Sequence, residues 1–153
     1  KHYSYDTPIW IREGLAHFME REITKRYNSF NSSEGGTAEM TRKTNWEAEV
    51  KKLAAAGKLP RMAEVLSMRE YAELTLPRHY AVWSMTDFLI RTKPAEYARF
   101  NDALHGIMDD KGFPDSSNLL EVHREKFREI FGLSYADFDR VWMEWIAATY
   151  SSQ

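Results

Sequence analysis

Glu13 and His17 stand four residues apart, and this spacing on a helix lets a carboxylate and an imidazole reach toward one ion. Two ligands alone hold a metal poorly, so on spacing His17 is a lesser candidate and is read as a surface residue or a neighbour of a site. The other histidines are His2, His79, His105 and His123. No two of the five make H-E-x-x-H, the helical motif that pairs two zinc-binding histidines with a glutamate base. There is no cysteine, so thiolate metal sites, thiol nucleophiles and disulfides are excluded. No glycine-rich phosphate loop and no G-x-S-x-G nucleophile elbow is present. His79 and Tyr80 stand adjacent at the start of a strongly apolar segment.

Those residues must be positioned by helices. Thr7-Pro8 reads as a helix start, with Thr7 as N-cap and Pro8 at the first helical position. The helix is expected to run to about Tyr27, with Ile11, Leu15, Phe18 and Ile23 as its buried stripe. Residues 28–44 are polar, contain Gly35-Gly36 and read as a mobile loop. Short helices are expected at Asn45–Ala56, ended by Gly57, and at Pro60–Met68. Longer ones follow at Pro77–Thr92, from Pro94 to about Ile107, at Asn118–Phe131 before Gly132, and from Ser134, with Asp137 in a weaker form of the capping box. No strand, repeat or linker interrupts the pattern. The expected fold is all-α, a single domain over residues 1–153 built as a helical bundle or orthogonal array.

Composition agrees with a packed core. Of 153 residues, 43% are hydrophobic and 14% aromatic, with five Trp and eight Phe to fill it. A formal net charge of -2 offers no electrostatic footing for nucleic acid or an anionic membrane. No apolar run approaches the roughly 20 residues that span a bilayer. The charged run from Arg124 to Glu129 mixes signs and reads as a solvated face, with His123 and His105 structural or solvated. The chain starts without Met at Lys1-His2-Tyr3 and shows no signal peptide, so it is expected to be a fragment of a longer protein.

The block Pro8-Ile9-Trp10-Ile11-Arg12-Glu13-Gly14-Leu15-Ala16-His17-Phe18-Met19-Glu20 resembles the P-x-W-x-x-E-G-[LF]-A segment of gluzincin zinc metallopeptidases, the peptidase MA-like superfamily. There this segment follows the H-E-x-x-H helix, and its Glu is the third zinc ligand. The resemblance implies that Glu13 is that ligand and that the chain is the C-terminal helical half of such an enzyme. It implies zinc in the intact parent, a peptide or protein substrate, and an N-terminal half carrying H-E-x-x-H. In the family that motif's second histidine lies about twenty residues before the Glu, which here falls before Lys1. The chain by itself is then expected to hold no metal and to hydrolyse nothing.

Arg78 to Ile90 is similar to a later family helix whose leading Tyr steadies the oxyanion. Aligning Trp83 to Leu89 on its hydrophobic pattern puts His79 at the Tyr position, and a shift of one residue would restore Tyr80. The alternative is a degenerate, non-catalytic relative retained as a binding or structural module. The helical angles put Trp10, Gly14 and His17 on a face expected to be exposed in this chain and to favour self-association. The sequence fixes no compartment; the resemblance leaves an extracytoplasmic or cell-envelope location open for the parent.

Overall fold

The computed structural model describes residues 7–24, 45–105, 108–113, 115 and 117–152. The segment expected to be a mobile loop, 28–44, lies outside them, as do Lys25 to Tyr27 of the first expected helix. The described residues form an all-α fold: α1 (Ile9–Thr24), α2 (Trp46–Ala55), α3 (Met62–Leu66), α4 (Leu76–Thr92), α5 (Pro94–His105), α6 (Leu119–Phe131) and α7 (Tyr135–Thr149). Among the described residues a 3-10 turn at Tyr71–Glu73, not foreseen in the sequence, leads into α4. No helix among the described residues is long and apolar enough to cross a membrane.

Local chemistry fixes the helix ends. The Asn45 side chain accepts from the Ala48 N–H and caps α2, and the Ser134 hydroxyl accepts from the Asp137 N–H and caps α7. Gly132 ends α6 at φ +69°, a left-handed conformation that costs a residue with a Cβ. At α1 the cap differs from expectation. The Pro8 carbonyl accepts from the Ile11 and Arg12 N–H groups, while the Thr7 hydroxyl is 2.9 Å from Nε2 of His105. Thr7 thus ties α1 to the end of α5.

Helix α4 is the axis of the molecule. Every residue from His79 to Leu89 is buried, and α1, α2, α3, α5 and α7 all pack on it. The interface of α1 with α4 is the most extensive, and α6 packs on α5. Four indoles, those of Trp10, Trp46, Trp83 and Trp142, are fully buried beside Phe100, Phe127 and Phe138. Burying rings of this size supplies much of the folding free energy, at roughly 25 cal/mol per Å² of apolar area.

The two faces of α1 depart from their expected roles, although Ile11 of the expected stripe is buried and Phe18 packs half-buried against the core. Leu15 is 38% and Ile23 75% exposed, whereas Trp10 is 0% and His17 2% exposed, with Gly14 also buried. The expected exposed face is therefore the buried one, and its proposed use for self-association is withdrawn. The reason is shape. Gly14 lets α4 approach closely, and Trp10 and His17, one turn to either side of it, fill the space beside that contact. An aliphatic stripe has no such opening, and Leu15, Met19 and Ile23 are left outside.

Candidate metal centre

Gly14 is where the backbones meet. A Cβ built on it would clash with Oγ1 of Thr86 and lie 2.5 Å from the Val82 carbonyl oxygen. With α1 held this close, Glu13 and His17 face the first turns of α4, where His79 stands. The donor atoms of Glu13, His17 and His79 lie within 4.8 Å of one another. Nε2 of His17 is 2.9 Å from Nδ1 of His79, a hydrogen bond whose direction depends on the tautomers. The rings meet edge to face at 5.0 Å between centroids. Both imidazoles are buried and the Glu13 side chain is half-buried.

Neighbouring groups hold His17 in place. Nδ1 of His17 is 3.8 Å from Oε2 of Glu20, one turn further along α1. The Trp46 ring packs edge-on against the imidazole at 5.1 Å. Arg21 bonds Glu47 at 3.1 Å and so ties α1 to α2. Arg91 reaches Asp87 at 2.6 Å and Glu22 at 3.1 Å, closing the far end of the α1–α4 interface. Arg91 is exposed and the Arg21–Glu47 pair is part-exposed on both sides, so these three pairs hold geometry more than stability.

His79 is neutral at ordinary pH. Burial, followed by the nearby charge of His17, lowers its pKa from 6.5 to about 3. A neutral imidazole is the form that ligates metal, and it also keeps one N–H to donate.

Of the two candidates at the start of α4, only His79 joins Glu13. The Tyr80 ring turns to Trp46, edge-on at 4.9 Å. Its hydroxyl is pushed up to about 12 by burial and then by the charge of Glu49. His17, the lesser candidate in the sequence, is brought to the centre of the group. The missing signal is a partner 62 positions away on another helix, which no local spacing reports.

His123 is a third buried histidine, and of its two expected roles, structural or solvated, it takes the structural one. It is fully buried, with Nε2 3.0 Å from the Trp10 indole N–H and Nδ1 2.6 Å from the Tyr135 hydroxyl. The indole can only donate, so Nε2 accepts and the ring proton sits on Nδ1, donating to Tyr135. One sequence signal could have found it: His123, Phe127 and Phe131 recur every four residues along the buried side of α6. His105 is bonded to Thr7 as described.

A surface cleft of about 550 Å³ opens beside the start of α1, lined by Ile9, Arg12, Leu66, Arg69, Tyr71 and Leu119 among others. The three donors are not among its lining residues. No protein-family model, no curated protein and no solved structure matches the chain.

Proposed function

We propose that this chain is the C-terminal helical part of a gluzincin-like zinc peptidase, in which Glu13 is the third zinc ligand. The observation that carries the reading is the meeting of Glu13 and His79 across the Gly14 contact. The resemblance of the Trp10-to-Glu20 block names Glu13 as the ligand, and the aligned Tyr position of the second segment falls on His79. Two residues 66 positions apart by that separate reasoning lie in one cluster. The donor set fits the ion, since a carboxylate with neutral imidazoles suits zinc. Zinc bound there supplies Lewis acidity and a water acidified enough to attack an amide.

The chain's own residues would do the rest. Glu13 would hold the ion from α1. When Nδ1 of His79 accepts from His17, its proton sits on Nε2, where it can donate to an oxyanion. Gly14 would keep the two helices close enough for both to act. The two ligating histidines and the glutamate base would come from an H-E-x-x-H segment in the parent's N-terminal half.

The test is zinc content and peptide hydrolysis of the full parent beside its Glu13→Gln variant. We expect stoichiometric zinc in the parent, and a loss of activity of about 100-fold or more with the variant, as for removal of a catalytic metal ligand. A parent without H-E-x-x-H, or one whose zinc and activity survive the substitution, refutes the reading.

The second reading is a degenerate relative serving as a binding or structural module. The mutual hydrogen bond of His17 and His79, packed beside Trp46, favours it, because the space next to Glu13 is filled from within. A parent that binds no zinc supports it.

A further inference from the structure

We infer that Glu13, His17 and His79 form a metal site complete within this chain, taking one divalent transition ion of the zinc class. The inference rests on Glu13 as a ligand position but not on any histidine from an H-E-x-x-H segment. It goes beyond the reading above in making His17 a ligand, and it reverses the expectation that the isolated chain holds no metal.

The geometry points that way in three respects. First, the donors come from two helices whose spacing is fixed by the Gly14 contact, so they are gathered before an ion arrives. Second, the imidazole nitrogens are already 2.9 Å apart. Two nitrogens each about 2.0–2.1 Å from a tetrahedral zinc stand about 3.3 Å apart, so an ion entering between them parts the rings by only a few tenths of an ångström. The carboxylate, within 4.8 Å of both nitrogens, must come closer. Glu13, the half-buried member of the three, is the ligand whose side chain shifts to close the site.

Third, the outer partner is in place. A ligating histidine commonly turns its other nitrogen toward a carboxylate, which fixes the tautomer. Glu20 stands 3.8 Å from Nδ1 of His17, on the far side of the ring from His79. If His17 donates in the present hydrogen bond, its proton moves to Nδ1, toward Glu20. If His79 donates, its proton moves to Nε2.

The donor set selects the ion. Two imidazoles and one carboxylate suit zinc and its borderline neighbours, whereas calcium and magnesium prefer all-oxygen shells. Three protein ligands leave a tetrahedral ion one open position. His79 serves as a ligand in the chain alone, whereas its donor role belongs to the parent with two further imidazoles on the ion.

The experiment is a zinc titration of the chelator-treated 153-residue chain, with cobalt(II) as a probe whose visible spectrum reports tetrahedral nitrogen–oxygen coordination. Variants Glu13→Gln, His17→Gln and His79→Gln are compared with His2→Gln, a control outside the set. Far-UV circular dichroism checks that each is folded; Glu13→Gln, at a half-buried position, provides a folded variant if His79→Gln does not fold. The expected result is one ion per chain, weakened about 100-fold or more by Glu13→Gln and His17→Gln and unchanged by His2→Gln. Absence of saturable binding, binding that survives either substitution, or binding lost with His2→Gln overturns the inference. The peptidase reading fails separately, through a parent without H-E-x-x-H or without zinc.

Discussion

Replacing Gly14 by alanine is expected to destabilise the fold by about 3 kcal/mol or more, the upper range for forcing extra carbon into a packed interface. In an isolated helix the same change favours folding by about 1 kcal/mol, because alanine is the better helix former. The two effects have opposite signs, so the outcome decides between them. Here the added methyl would meet a backbone carbonyl, that of Val82, as well as the Thr86 hydroxyl. A backbone inside α4 cannot turn aside, so the helices must part. Thermal unfolding should register a fall of roughly 6–12 °C, taking about 2–4 °C per kcal/mol for a chain of this size. Adding Thr86→Ala removes one of the two obstacles and should recover part of the loss, never all of it. A melting temperature that rises in Gly14→Ala would show that the helices are not held by this contact.

The second large effect is on acid stability. His79 and His123 are both lowered from 6.5 to about 3, and burial is the leading cause for each. An unfolded chain takes up these two protons near pH 6.5, whereas the folded one resists until about pH 3. Within that window the unfolded state binds more protons, so stability falls as the pH falls. Each group contributes a slope of about 1.4 kcal/mol per pH unit, and the slope fades below the folded values. Together they can remove a large part of the 5–15 kcal/mol typical of a domain. Asp87 and Asp139, raised from 3.8 mainly by burial, pull the other way above pH 3.8, where the folded chain holds their protons more tightly than the unfolded one.

Denaturant unfolding followed from about pH 7 to pH 4 should therefore show a steep loss. His123→Phe keeps a ring in place but leaves the Trp10 N–H with no acceptor there, costing about 1–3 kcal/mol at neutral pH. It should at the same time reduce the pH slope by about 1.4 kcal/mol per unit. A flat profile in the native chain across the window would contradict the burial of these two rings.

The helices themselves were legible because their signals are local. Asn45, Ser134 and Gly132 act where the sequence puts them, as caps and stop. Phe138, Trp142 and Ile146, each four residues from the next, form the buried side of α7. What was not legible is which face of α1 turns inward. Its apolar residues divide between two sides, and an aliphatic stripe outweighed a glycine flanked by Trp10 and His17 when judged by hydrophobicity alone. Packing followed shape instead, since a close approach needs a residue without a side chain. The candidate centre was half legible for the same reason. Glu13 and His79 each stood out by resemblance, but their meeting with His17 depends on a contact between α1 and α4 that no local pattern encodes.

The burial of α4 on every side bears on the order in which the molecule would open. Its amides from His79 to Leu89 are covered by five other helices. Amide exchange there requires the most extensive unfolding, whereas α1 presents Leu15, Met19 and Ile23 to water and has one face to detach. The site is thus divided between a protected half and a more labile one. Detachment of α1 alone would carry Glu13 and His17 away and leave His79 on its helix. Any ion joining the three would act as a clasp between the two halves, and the slowed exchange of α1 would record its presence.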